Sequence, residues 1–131
     1  MKRKINMTWE EFDDGIDNLV TEVINQKLNF NGVYGIPRGG LVVAVTLSHR
    51  LNIPLLKKPI PGCLIVDDIS DNGNTLLEFK DDFIITLFST AWTKTKPNIF
   101  IYHKMSQHDW IVFPWECVKP HTTLFDKVKG G

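Results

Sequence analysis

The sequence predicts a single α/β domain built on a doubly wound, mainly parallel sheet, and three observations carry that expectation. Short oily runs such as VYGI, CLIVDD and FIITLF are bounded by turn residues, the pattern of strands covered on both faces. Segments with helical spacing alternate with them, as in strand–helix–strand units. Two loops rich in glycine and small polar residues, GIPRGG and DDISDNGNT, each begin where a predicted strand ends. Open α/β sheets bind their ligands at that edge.

Taking the elements in order, Thr8 and Glu11 have the spacing of a capping box, and Trp9, Phe12, Ile16, Leu19, Val20, Val23 and Ile24 recur as one helical face. A helix over 8–27 follows. Asn29 to Gly32 is turn-like, VYGI is a short strand, and GLVVAVTLSHRLN is a second helix, apolar on most sides and so packed on a sheet. Pro54 to Leu56 reads as a short strand joined by KKPIPG to the strand CLIVDD. NTLLEFKDD is a brief helix, FIITLFSTAW a buried strand, KTKP a turn and NIFIYH a further strand. WIVFPWE begins as a strand that Pro114 stops. The expected division is an amino-terminal helix at 8–27, a core at 32–92 and a carboxy-terminal segment at 97–120, all in one domain spanning 1–131.

With 131 residues, 43% hydrophobic and 23% charged, the chain has the composition of one compact domain. Fifteen basic residues balance fifteen acidic ones, so no overall field points to nucleic acid or an anionic membrane, and an anion site must be built locally. No apolar run approaches the ~20 residues that span a bilayer. The basic start MKRK leads into Glu10, Glu11, Asp13 and Asp14 rather than a signal-peptide core, so the chain is read as cytoplasmic. Cys63 and Cys117 lack metal-site or scaffold spacing and read as packed thiols; His103 and His108 read as solvated surface residues.

The chemistry lies in the two loops. Gly35 to Gly40 sets Arg38 beside Gly39 and Gly40, whose bare amides suit a polyphosphate ahead of a helix. Asp71, Asn72, Gly73, Asn74 and Thr75 suit a single phosphate at the mouth of the next helix. Neither GxGxxG nor GxxxxGK[ST] is present, which disfavours dinucleotide and Walker-type sites. Adjacent Asp67 and Asp68 on a strand are expected to project to opposite sides. Two carboxylates ~4 Å apart repel by about 1 kcal/mol in water and ~4 kcal/mol in a partly buried site, so they call for compensation by a cation and hydroxyl donors. Mg²⁺ held mostly by ligand oxygens, with sugar hydroxyls, supplies both. Pyrophosphate, ribose hydroxyls and a terminal phosphate in that order describe phosphoribosyl pyrophosphate.

CLIVDDISDNGNTL resembles the phosphoribosyl-pyrophosphate signature of the type I phosphoribosyltransferases, a hydrophobic strand, two acidic residues, two apolar or small residues and Asp-Thr-Gly-x-Thr. YGIPRGGL resembles their pyrophosphate loop, and DWIVFPWE the purine-binding segment of the xanthine-guanine (6-oxopurine) branch. The likeness runs from about Val33 to Glu116. It implies a type I phosphoribosyltransferase fold with a reduced hood and a Mg²⁺-dependent pentosyltransferase that joins a purine-type base to the sugar in nucleotide salvage. It also makes a homodimer the expected assembly. Residue by residue, it implies that Asp67 and Asp68 face the ribose hydroxyls and meet metal indirectly, through those hydroxyls or water. Asp71 to Thr75 wrap the 5'-phosphate, and Asp71 also trades a proton at N7 of the base. Arg38, Gly39 and Gly40 hold pyrophosphate, Trp110 stacks on the purine, and the Ile111 main chain reads its edge.

Three positions depart from that pattern. Asn72 stands where the signature has threonine; Thr90 falls where the purine branch has a base-reading lysine, with Lys94 and Lys96 beyond it. Only KKPIPG remains where relatives carry a long flexible loop, with Lys57 and Lys58 in its stub. The alternative is thus a catalytically weak phosphoribosyl-pyrophosphate or nucleotide-binding regulatory protein. A receiver-type signalling domain would need its acidic pair on an early strand and leaves GIPRGG without a role.

Overall fold

The computed structural model describes residues 2–116; Cys117 and the end of the 97–120 segment lie outside the described residues. The elements run β1 (Arg3–Asn6), α1 (Trp9–Asn25), β2 (Val33–Gly35), α2 (Gly39–Leu51), β3 (Leu64–Ser70), a 3-10 turn (Leu77–Phe79), β4 (Phe83–Ser89), β5 (Tyr102–His103) and β6 (Asp109–Val112). The capping box forms as its spacing predicts: Glu11 N donates to Thr8 Oγ1 at 3.0 Å, and Thr8 N donates to Glu11 Oε1 at 2.8 Å.

The main sheet is parallel throughout, in the order β2-β3-β4-β5. A further parallel bridge joins Leu55 to Val33, with Val33 N donating to Pro54 O at 2.9 Å and Leu56 N donating to Val33 O at 2.8 Å. Val33 spends its own amide and carbonyl on that side, while Leu64 N reaches Gly32 O on the other. Leu55 therefore lies on the far side of β2 from β3. The chain goes outward from β2 through α2 to Leu55, then returns across to β3 and proceeds to β4 and β5. Strand order reverses between β2 and β3, and an open α/β sheet has its ligand crevice at such a reversal.

One face of the sheet is closed by α1 and α2, whose Ile16, Leu19, Val43 and Leu47 pack with Val33, Leu64, Val66, Ile85 and Leu87. The other face carries a smaller cluster of Ile36, Cys63, Ile65, Leu76 and Ile84, with Tyr34, Leu56 and Phe79 against it. There the expected helix over NTLLEFKDD is only the 3-10 turn, because its single apolar face needs no more than Leu76 and Phe79 to seal a narrow strip. Pro54 to Leu56 and NIFIYH likewise shrink, the first to the Leu55 bridge and the second to β5 plus an Ile99 bridge. Cys63 is a buried thiol, and His103 and His108 are exposed.

The amino terminus forms a strand that the sequence reading missed. β1 pairs in parallel with β6, Ile5 opposite Ile111, as a separate two-stranded sheet beyond the carboxyl ends of the main strands. Val112 is the last residue of β6, two before Pro114, and the chain then turns so that Trp115 stacks on Phe113 with ring centroids 4.9 Å apart. Trp115 also meets Phe12 edge-on at 5.5 Å, which fastens β6 to α1.

Candidate active site

The loops after β2 and β3 interlock before any ligand is considered. Ile36 N donates to Val66 O at 3.0 Å, pinning the first loop to β3, and the Pro37–Arg38 peptide is cis. A side-chain carbon on Gly39 would collide with the Asp68 carboxylate, and one on Gly40 would meet Val66 O at 2.7 Å and Asp67 Oδ1 at 3.2 Å. The two glycines thus make room for the acidic pair as well as for any anion near their amides. Arg38 is exposed and lines a cavity of about 520 Å³ with Gly39, Val42, Asp68, Trp115 and Glu116.

Asp67 and Asp68 do not part to opposite sides as strand alternation predicts; both line a cavity of about 390 Å³ with Pro37, Gly39, Asp71, Gly73 and Thr75. The strand itself runs on to Ser70, and the bare backbone of Gly39 and Gly40 beside it leaves room for both carboxyls. Asp68 N donates to Asp67 Oδ1 at 2.8 Å. Burial, with Asp68 adding its charge, pushes the Asp67 carboxyl up to about 8. Burial raises Asp68 as well, and Glu116 adds to that, while hydrogen bonds from Asp67 and the Ile69 amide work against it. Both carboxyls are thus held toward their neutral forms, and a cation beside them would favour the charged ones. Among the described residues no three His, Cys, Asp or Glu side chains gather as a metal cage. A divalent ion here would rest on Asp67 and Asp68 and take its other oxygens from a ligand.

The second loop is shaped from behind by the segment that follows β4. Thr90 Oγ1 donates to Asp71 O at 2.6 Å, Lys94 N to Asn72 O at 2.9 Å, and Thr95 Oγ1 to Gly73 O at 2.7 Å. Ser70 Oγ donates to Thr95 O at 2.7 Å and lies 2.7 Å from Thr93 Oγ1, so the brace is itself braced. Because a trans peptide sets its N–H opposite its C=O, holding three successive carbonyls turns the amides of Asn72, Gly73 and Asn74 the other way. Consecutive amides turned together form an anion-binding concavity. Gly73, at φ +82°, supplies the left-handed residue this turn requires. The Asn74 amide is capped by Asn72 Oδ1 at 2.8 Å, so the residue standing in place of threonine occupies one of the loop's own donors. No long helix follows, and the amides stand without a helix dipole behind them.

Asp71 leaves this loop toward a third cavity, of about 210 Å³, lined by Lys2, Ile69, Lys104, Asp109, Trp110, Ile111 and Phe113. Trp92 Nε1 donates to Asp71 Oδ1 at 3.1 Å and Lys104 Nζ to Asp71 Oδ2 at 2.6 Å. Trp110 is half exposed, with Lys2 Nζ 4.7 Å from its ring centre. Arg3 N bonds His108 O and Met7 N bonds Val112 O, so the ladder to β1 uses the even-numbered residues of β6. The Ile111 amide and carbonyl consequently point away from β1.

Thr90 does not join them. Its hydroxyl is buried and committed to the Asp71 carbonyl, and it lines none of these three cavities. The KKPIPG connection is also away from the site: Asn31 Nδ2 donates to Pro61 O at 2.7 Å at the amino-terminal edge of the sheet, and Lys57 and Lys58 are exposed. Sequence reasoning missed Lys104, Trp92 and the Ser70–Thr93–Thr95 brace. Only the clustering of hydroxyls in TAWTKT hinted at the last.

A scan against models of known protein families gives no match. The xanthine-guanine phosphoribosyltransferase of Chromohalobacter salexigens is 26% identical over 157 aligned positions that take in 98% of this chain and 94% of the relative. Those positions outnumber the 131 residues here, so the relative carries segments that this chain lacks. The Helicobacter pylori xanthine-guanine-hypoxanthine phosphoribosyltransferase shares the fold, with a TM-score of 0.73 at 20% identity, covering 98% of this chain and 100% of that one. The purine phosphoribosyltransferase of Pyrococcus horikoshii superposes with a TM-score of 0.74 at 30% identity, covering 92% of this chain and 99% of that one. With that identity over nearly the full length of both chains, this protein belongs to the type I phosphoribosyltransferase family, in its purine branch.

Proposed function

We propose that the protein transfers the 5-phosphoribosyl group of phosphoribosyl pyrophosphate to a purine-type base, releasing pyrophosphate, as a pentosyltransferase of nucleotide salvage. One observation carries the reading. The two anion-suited loops meet at the strand-order reversal between β2 and β3, with the Asp67–Asp68 pair between them.

In this reading the Asn72 and Gly73 amides and Thr75 hold the 5'-phosphate, and Asp67 and Asp68 take the ribose hydroxyls. Arg38 lies over the pyrophosphate with Gly39 and Gly40 beneath it. The base lies on Trp110, its edge against the outward Ile111 amide and carbonyl. The bond from C1 to the pyrophosphate oxygen breaks as the bond from C1 to N9 forms, through an oxocarbenium-like state. Positive charge grows on the sugar beside Asp67 and Asp68, and Arg38 meets the negative charge growing on the leaving group. Bound at the acidic pair and to ligand oxygens, Mg²⁺ would supply further charge neutralisation there. Asp71 takes the proton the base must lose at N7; each of its oxygens keeps a free lone pair beyond the bonds from Trp92 and Lys104.

A homodimer belongs to the same proposal. Leu41 and Val45 on α2 are each 40% exposed, apolar side chains that a second chain would cover. No helix among the described residues is long and apolar enough to cross a membrane, which fits the cytoplasmic setting of salvage.

The test is to incubate the protein with Mg²⁺, phosphoribosyl pyrophosphate and a panel of purines and pyrimidines, and to quantify nucleotide and pyrophosphate together. Base-dependent formation of both in equal amounts is expected. Tight binding with no base-dependent pyrophosphate would instead mark a binding protein.

A further inference from the structure

We propose that Lys104 is this protein's base-reading residue, selecting a purine whose six-position carries oxygen over one that carries an amino group. The proposal rests on the reading of the 210 Å³ cavity as the base site and names the substrate class that cavity takes.

Thr90, at the position where the resemblance expects a lysine, is unavailable, because its buried hydroxyl is committed to Asp71 O. Lys104 reaches the base cavity from the neighbouring strand. Its amide donates to Ser89 O at 2.9 Å, which continues the β4–β5 pairing one residue past His103 and fixes where its side chain starts. That side chain is only 9% exposed, and Lys104 lines the cavity together with Asp71, Trp110 and Ile111.

Three N–H bonds radiate from the ammonium, and Asp71 Oδ2 at 2.6 Å accepts one of them. The Trp92 ring lies 6.0 Å from the ammonium and supplies no acceptor atom, so the remaining pair favours a ligand that brings one. An exocyclic oxygen accepts from an ammonium; an exocyclic amino group offers hydrogens against hydrogens. Sites built on such a buried donor reject the wrong partner far more strongly than apolar pockets do. Because Asp71 holds Lys104 from one side, the ammonium is poised near the ring edge rather than free to turn away.

The experiment is equilibrium titration with inosine and adenosine monophosphates, read by quenching of tryptophan fluorescence, in the natural protein, Lys104→Met and Lys104→Arg. Methionine keeps the length and removes the donor; arginine keeps a donor and guards against misfolding in the first variant. We expect the natural protein to favour inosine monophosphate at least tenfold. Lys104→Met should bring the two within threefold, chiefly by weakening inosine monophosphate, and Lys104→Arg should retain part of the preference. Equal affinity in the natural protein, or an unchanged ratio in Lys104→Met, overturns the proposal while leaving the transferase reading intact. If neither nucleotide binds, the base-site reading falls and this proposal with it. A preference without any turnover upholds Lys104 and overturns only the transferase.

Discussion

Lys104 Nζ and Asp71 Oδ2 stand 2.6 Å apart, a contact that ties the strand edge beside the 210 Å³ cavity to the loop proposed to hold the 5'-phosphate. Asp71 belongs to both cavities, and Trp92 Nε1 fixes its other oxygen. A carboxylate held from two sides, at the proposed meeting of base and sugar sites, is well set to take the proton the base loses. Asp71→Asn should therefore lower kcat by roughly 10²–10⁴-fold, the usual scale of a positioned acid–base group, while phosphoribosyl pyrophosphate affinity changes far less. Steady-state kinetics with a binding titration check this; undiminished turnover would remove Asp71 from the chemistry.

Thr95 braces the 71–75 loop from behind. Its hydroxyl is buried and donates to Gly73 O at 2.7 Å. Thr95→Val leaves that carbonyl unpaired, so stability should fall by about 1–2 kcal/mol in urea unfolding. KM for phosphoribosyl pyrophosphate should rise several-fold with kcat nearly unchanged, because the amides lose their common direction.

Asn72 caps the Asn74 amide through its own side chain. Asn72→Thr removes that amide oxygen and adds a hydroxyl at the loop, which should tighten phosphoribosyl pyrophosphate binding by roughly 3–10-fold, the scale of one ordinary added hydrogen bond. Calorimetry measures it. Weaker binding would mean that the Asn72 cap organises the loop rather than competing with the ligand.

The acidic pair gives a pH dependence of definite sign. Asp67 is raised from 3.8 to about 8 in the folded chain, so between those values the folded state binds more protons than the unfolded. Unliganded stability should accordingly fall as pH rises from about 4 to 8. Asp67→Asn, which keeps a neutral hydrogen-bonding group, should flatten that slope and gain about 1–3 kcal/mol at pH 8. Thermal melts across pH 5 to 8 decide it; a slope the substitution leaves unchanged would place the titration elsewhere.

What could be read from the sequence was local chemistry. GIPRGG and DDISDNGNT announce themselves because glycine, asparagine, aspartate and threonine at those spacings have few uses other than tight turns and anion contacts. β2, α2, β3 and β4 followed from unbroken apolar runs, and α1 from one capping box and one helical face. What escaped was set by contacts distant along the chain. β1 is only four residues, and its alternation of Ile5 and Met7 with Lys4 and Asn6 gains meaning only beside β6, more than a hundred residues later. Lys104 follows a predicted strand, and its place beside the 210 Å³ cavity depends on β5 continuing past His103. The helix expected over NTLLEFKDD had the right spacing, but the narrow second face leaves it little apolar surface to cover. Thr90 was matched by position along its strand, which could not reveal that its hydroxyl turns back to the Asp71 carbonyl.

In the proposed complex one ligand spans the loops after β2 and β3. Calorimetric dissociation constants for phosphoribosyl pyrophosphate, ribose 5-phosphate and pyrophosphate, each with Mg²⁺, decide whether it does. Joining two binding halves in one molecule should make phosphoribosyl pyrophosphate bind at least a hundredfold more tightly than either half, on the order expected when the second contact becomes intramolecular. Affinity no better than that of pyrophosphate alone would mean that the two loops do not share one ligand.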